Sequence, residues 1–215
     1  EVVAPVDHVI DLDSAGLAPF PDASVDFVIA NMVLDHVANP IRVLDEMFRV
    51  VRPGGHVMAS VPDKRYTRDR ERPCTPFAML ADAWRAGVDR VDDDAYHAFL
   101  AAAHPELESN GPALAAAVRR ARARREAVHV WGSGAFARFM ESALALLEID
   151  AVQVCERGGD ETGLEYFGVW RLRGRAAAAP RPAAAPAVAA AGPVPGITVT
   201  PARLRTAGLP VAGGR

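Results

Sequence analysis

The chain has 215 residues, half of them hydrophobic and 24% charged, which suffices for one sizeable core and not for two. A formal charge of −3 gives no electrostatic ground for nucleic acid or an anionic membrane as the main partner. Cys74 and Cys155 make neither a disulfide framework nor a zinc ligand set, so a reducing cytoplasm is expected. No apolar run approaches the roughly 20 residues of a membrane span.

The chain opens on Glu1 rather than methionine, and a preceding segment is expected. Val6 to Leu12 reads as a short strand ending in the acidic pair Asp11 and Asp13, followed by the turn-rich Pro19-Phe20-Pro21-Asp22. Val25 to Ala30 is nearly continuous in apolar residues, which predicts a strand buried on both faces of a parallel sheet. A helix follows over Pro40 to Val51, with Asn39 as N-cap, Pro40 at the first helical position and Ile41, Leu44, Met47, Phe48 and Val51 on one face. Arg52-Pro53-Gly54-Gly55 ends it, and Val57 to Val61 is the next strand, closed by Pro62.

Lys64 to Pro76 is a polar loop, and helices are predicted at about Pro76–Ala86, Asp92–Ala103, Pro112–Arg125 and Ser133–Leu147. Ile149–Cys155 and Glu165–Leu172 read as an antiparallel hairpin around a glycine-rich loop. From Gly174 onward the chain is Ala-, Pro- and Gly-rich, without acidic or aromatic residues, so 174–215 reads as a disordered tail or linker, with the apolar patch Gly196–Thr200 read as linker in preference to the start of another ordered element. Five arginines lie in that stretch, so the body before it carries −8 against the −3 of the whole chain.

The residues Leu17 to Asn31, then Val33-Leu34-Asp35-His36-Val37, then Arg49 to Gly55 follow the family pattern LPFPDxSFD, LEHV, RVLRPGG. This resembles the second half of a class I S-adenosylmethionine-dependent methyltransferase of the "methyltransferase type 11" group. Val61 to Thr67, with Val128-His129-Val130-Trp131 downstream, is similar to a bacterial subgroup found near polysaccharide-building genes. Met32, Asp35 and Met79 stand where relatives carry His, Glu and His, so any role of those histidines does not transfer.

The resemblance implies an α/β fold: a Rossmann-like sheet of family order 3-2-1-4-5-7-6, incomplete at the N-terminus, with a helical insertion over about 76–127 and a C-terminal hairpin. The methyltransferase-like body is placed at 1–173. It implies S-adenosylmethionine as cofactor, with Leu12, Asp13 and Ser14 near the adenine and Asn31, Met32 and Val33 beside the methionine part. The glycine-rich loop after the first family strand is expected upstream of Glu1. The implied reaction is methyl transfer to an oxygen or nitrogen of a small molecule, such as a saccharide, beneath the helical insertion. Such chemistry asks mainly for alignment of a nucleophile with an already activated methyl group.

From the residues themselves, Lys64, Arg65 and Tyr66 are candidates for holding an anionic substrate, and Tyr66 for a catalytic role. Asp35-His36 is either an acid/base pair or a structural cap, and His129, beside Trp131, either a base for an acceptor hydroxyl or a hydrogen-bonding core histidine. Asp11-Leu12-Asp13 also matches the Asp-x-Asp metal and sugar-nucleotide signature of glycosyltransferases, and a non-catalytic methyltransferase remnant or interaction scaffold is the remaining alternative. The arginines Arg119 to Arg125 suit a helix C-terminus and lack interleaved aromatics for base stacking. No histidine spacing suggests a metal, and oligomeric state is not legible.

Overall fold

The computed structural model describes residues 7–175, together with the backbone of 197–199. In chain order the elements are β1 (His8–Ile10), α1 (Leu12–Ala15), β2 (Val25–Asn31), α2 (Pro40–Val50), β3 (Val51–Pro62), a 3-10 turn (Lys64–Tyr66), α3 (Phe77–Arg85), α4 (Asp93–Ala103), a second 3-10 turn (Pro105–Leu107), α5 (Gly111–Arg124), α6 (Ser133–Leu146), β4 (Ile149–Arg157), α7 (Gly159–Thr162), β5 (Glu165–Arg175) and β6 (Ile197–Val199).

Four strands form one sheet in the order β2-β3-β5-β4, the β2–β3 pair parallel and the other two pairs antiparallel. This is the 4-5-7-6 part of the order the resemblance implies, so the mixed α/β expectation holds. β2, α2 and β3 make the parallel crossover. α2 forms where predicted, because Asn39 Oδ1 accepts the Arg42 N–H at 3.1 Å while Pro40 opens the first turn. Asn39 also donates to the Ala83 and Val88 carbonyls at 3.3 and 3.2 Å, fixing the end of α3.

Three expectations are corrected. β2 is not buried on both faces: only Ala30 is fully buried and Ile29 is 57% exposed, because β2 has β3 on one side and no described strand on the other. β3 begins at Val51 rather than Val57. Val25 pairs with Val51, the register then slips, and Phe27 pairs with His56, so the apparent stop Arg52–Gly55 is a bulge inside the strand. Finally, the patch taken as linker contains β6, whose β-branched residues pair antiparallel with β1, Ile10 opposite Ile197 and His8 opposite Val199. The rest of the predicted tail lies outside the described residues.

The predicted insertion divides in two. α3 contributes Leu80 and Ala81 to the main core, whereas α4 and α5 close a separate apolar cluster of Tyr96, Leu100, Ala117, Val118, Ala121 and Val128. The main core gathers Leu34, Ile41, Leu44, Met47 and Phe48 around the sheet. Trp131 sits in it with its ring centroid 5.3 Å from those of Phe136 and Phe139. Cys74 and Cys155 are both free thiols, and among the described residues no helix is long and apolar enough to cross a membrane.

The bulge makes Gly55 a sensitive position: an added Cβ would lie 2.4 Å from the Asp26 carbonyl oxygen. Gly55→Ala is expected to destabilise the protein by about 1–3 kcal/mol through forced backbone displacement, read from urea unfolding midpoints. An unchanged midpoint would show that the bulge relaxes freely.

Candidate functional site

β2 and β3 run parallel and end together, at Asn31 and Pro62. In open parallel sheets the crevice beyond the carboxyl ends of the strands is where ligands bind. Three segments converge there: the turn 32–38 after β2, the turn 63–67 after β3, and the extended stretch 127–131 between α5 and α6.

The turn after β2 begins with Met32 in the left-handed region, at φ +52°, an uncommon conformation for a non-glycine residue. Its N–H donates to the Ser60 carbonyl at 3.1 Å, and the Ser60 hydroxyl donates to Asn31 Oδ1. Asn31 is exposed and its side-chain amide remains a donor at the strand terminus. Val33 is buried in the core and Met32 half-buried. The backbone carbonyl of Asp35 then accepts from Val128 and His129 at 2.8 and 3.1 Å, which lays the 127–131 stretch along this turn. The same stretch is held from the other side by Thr75, whose N–H donates to the Val130 carbonyl and whose hydroxyl accepts the Val130 N–H, both at 2.9 Å. Lys64 N–H donates to the Trp131 carbonyl at 2.8 Å.

Asp63 fixes the turn after β3. Its side chain is fully buried, yet it accepts from Arg65 N–H, Nε and Nη2 and from the Ser133 N–H and hydroxyl, at 2.6–3.2 Å. Burial alone would raise its carboxyl, but these charge-assisted donors outweigh burial and hold it well below the ordinary carboxylate range. Gly159 packs so closely that a Cβ there would lie 2.7 Å from Asp63 Oδ2.

The sequence-selected residues separate into groups. Arg65 and Tyr66 meet Asp160: Arg65 Nη1 donates to both its oxygens, at 2.9 and 3.1 Å, and the Tyr66 hydroxyl donates at 3.0 Å, with the guanidinium over the Tyr66 ring. Lys64 Nζ donates to the Arg72 carbonyl. These three side chains therefore bind protein groups, and of them only Lys64 lines the crevice. His36 bridges Nδ1 to the Arg125 carbonyl at 2.6 Å and Nε2 to Asp35 Oδ2 at 3.3 Å, tying the turn to the end of α5.

On the other flank, Leu12 is buried in α1, Ser14 is exposed, and Asp13 is buried. Asp13 Oδ1 accepts the Ala38 N–H at 2.7 Å and Oδ2 lies 3.7 Å from Arg125, so its carboxylate is turned to the protein. Burial pushes its pKa up to about 6 despite the Ala38 N–H and Arg125. Asp11 caps α1 and receives Arg125 Nη2 at 2.5 Å. Because one guanidinium occupies both carboxylates, the Asp-x-Asp reading lacks a converging pair, and among the described residues no acidic, His or Cys cluster is arranged for a metal. Arg125, left-handed at φ 50° beyond α5, was legible only as part of a basic cluster. Nothing local in the sequence ties it to Asp11.

His129 is the most perturbed histidine. Nε2 faces the Val37 carbonyl at 2.9 Å and therefore carries the proton, leaving Nδ1 as a lone pair. Burial lowers its pKa to about 4. Burial likewise pushes the Asp35 carboxyl up, with His36 partly offsetting it. Asp35, His129 and Trp131, with Pro62, Lys64, Thr67 and Asp69, line a small crevice that admits a group about the size of one water.

Residues 4–59 match the methyltransferase-domain family. The chain is 38% identical over 71 residues to a probable S-adenosylmethionine-dependent methyltransferase of Mycolicibacterium smegmatis, covering 32% of this chain and 28% of that protein. A probable S-adenosylmethionine-dependent methyltransferase of Mycobacterium tuberculosis is 37% identical over 71 residues, covering 32% and 26%. The chain thus spans little more than a quarter of the length of these relatives. Among solved structures, an arsenic(III) S-adenosylmethionine methyltransferase from Chlamydomonas reinhardtii aligns over 78% of this chain and 43% of its own, at 19% identity and TM-score 0.34. The matched residues 4–59 take in β1, α1, β2, α2 and most of β3, so the likeness to a methyltransferase domain lies in this part of the chain.

Two buried groups titrate in opposition. Asp13, raised from 3.8 to about 6, contributes stability that is full below pH 3.8 and lost as pH rises through 6. His129, lowered from 6.5 to about 4, contributes stability present above 6.5 and lost as pH falls through 4. Relative to the wild type, the change in unfolding free energy from pH 4 to pH 6 is expected to become more positive by about 2 kcal/mol in Asp13→Asn and more negative by about 2 kcal/mol in His129→Gln. Denaturant titrations at the two pH values check this, and parallel pH dependences in all three proteins would contradict it.

Proposed function

We propose that the protein binds S-adenosylmethionine and transfers its methyl group to an oxygen or nitrogen of a small uncharged acceptor of the saccharide or polyol type. The observation that supports this most is the coincidence of the three methyltransferase sequence blocks with the parallel β2–α2–β3 unit and the crevice at its carboxyl end.

The residues present fit one end of that cofactor. The exposed Asn31 amide is a donor suited to the carboxylate of the methionine moiety, and the Met32–Val33 backbone forms the adjoining wall. At the adenine end the fit is different from the one the resemblance implies: the Asp13 carboxylate is engaged by Ala38, and Asp11 and Ser14 are the exposed groups on that flank. When bound, the cofactor supplies an activated sulfonium methyl. The protein's own part is positional. The 127–131 stretch and the turn after β3 wall the crevice, while His129, neutral at physiological pH, offers Nδ1 to the hydrogen of an acceptor hydroxyl. His36 holds the β2 turn against the end of α5.

A second reading, a scaffold that keeps the sheet without cofactor, draws support from the inward-turned Asp13. Titration calorimetry of the full-length protein with S-adenosylmethionine separates the two. Methyl transfer predicts saturable binding, weakened about tenfold by Asn31→Ala through loss of a hydrogen bond to a charged group and little altered by Asp13→Asn. Absence of binding by the wild type would replace it with the scaffold reading.

A further inference from the structure

Buried polar groups are almost always satisfied, so unpaired ones call for a physical account. Among the described residues four buried side-chain atoms have no hydrogen-bond partner, and three of them belong to residues that line the crevice: Asp35 Oδ1, His129 Nδ1 and Trp131 Nε1. These residues are only 2%, 8% and 2% exposed. The two rings lie 5.6 Å apart, and the His129 N–H reaches the Asp35 carbonyl at 3.1 Å, so the three are immediate neighbours.

Their hydrogen-bond polarity is specific. Trp131 Nε1 can only donate. His129, with its Nε2 proton given to the Val37 carbonyl, can only accept at Nδ1. Asp35 Oδ1 adds a second acceptor, both in the carboxylate and in a neutral carboxyl that carries its proton on Oδ2. A cation would confront the Trp131 N–H, and an anion would confront the Asp35 oxygen and the His129 lone pair. A hydroxyl suits all of them, since its oxygen accepts from Trp131 while its proton goes to His129 or Asp35. Asp69 is paired with Arg72 at 2.7 Å and the Lys64 ammonium is held by the Arg72 carbonyl, so an ionic ligand would have to draw them away before it could use their charge in the crevice. Its size, about one water, agrees.

We propose that Asp35, His129 and Trp131 form a receptor for a single uncharged hydroxyl, brought by a bound water or by an alcohol-bearing ligand. That such an alcohol is the methyl acceptor rests on the methyl-transfer reading above. The receptor itself stands on geometry alone and is tested without cofactor.

The full chain has three tryptophans, Trp84, Trp131 and Trp170, so its indole N–H nuclear magnetic resonance signals are few and the Trp131 signal is a direct reporter. The probes are methanol, methylammonium and formate, matched in size and differing in charge. The expected result is a saturable shift of the Trp131 signal with methanol, at least fivefold tighter than with either ion, while Trp84 and Trp170 stay put. A water cross-peak to the Trp131 N–H that methanol does not displace also supports the receptor and identifies the hydroxyl as water's. Neither a methanol shift nor a water cross-peak, or a charged probe binding as well as methanol, overturns the proposal. His129→Phe should weaken methanol at least fivefold. If that variant does not fold, the comparison of three probes on the wild type decides alone.

Discussion

A single carboxylate, Asp63, joins the parts of the molecule on which the crevice depends. It ends β3, and its five charge-assisted and neutral donors come from the turn that follows and from the first residue of α6, 70 positions away. Gly159, on the loop of the β4–β5 hairpin, closes against the same oxygens. A buried ion pair of this kind is weak evidence for net stability, because desolvation offsets attraction. Its removal is nonetheless costly, since the partners are left unpaired in a dry site. The consequence is positional: strand exit, helix start and hairpin loop are fixed relative to one another, and Trp131, bridged to Asp63, is fixed with them.

The opposite wall is held by a different device. Arg125 reaches from the end of α5 to Asp11 and Asp13, while its carbonyl receives His36. The α4–α5 unit, which has its own small core, is thereby fastened to the β1–α1 flank and to the β2 turn. The crevice lies between a rigid node at Asp63 and this second set of ties. The unpaired groups on the residues that line it are uncharged donors and acceptors or a carboxyl biased toward its neutral form by burial. A site with that character favours neutral polar ligands.

Much of this was legible in the residues. α2 carries every local signal, an Asn-Pro start and a 3.6-residue apolar period, and it forms within one residue of the prediction. α3 to α6 do likewise. β2 read as fully buried because its composition is that of a central strand, whereas the family strand order, with its first strands lacking, implies the open apolar edge that β2 has at the end of the described sheet. The start of β3 read as a stop because Pro-Gly-Gly usually is one, but the Val25–Val51 pairing makes it a bulge. In the site, His129 stood out through its place beside Trp131. Asp63 did not, because a lone aspartate after a proline has no periodicity and its partners are distant in sequence. Arg65 and Tyr66 read as ligand-binding for the same reason: their partner, Asp160, is more than ninety residues away.

The central claim is that the carboxyl end of the β2–α2–β3 unit receives S-adenosylmethionine. Amide hydrogen exchange of the full-length protein, with and without that cofactor, tests it most directly. The account predicts slowed exchange in the turn 31–38 and at 11–15, with little change in the β4–β5 hairpin. Protection confined to other segments, or none under saturating cofactor, would contradict it.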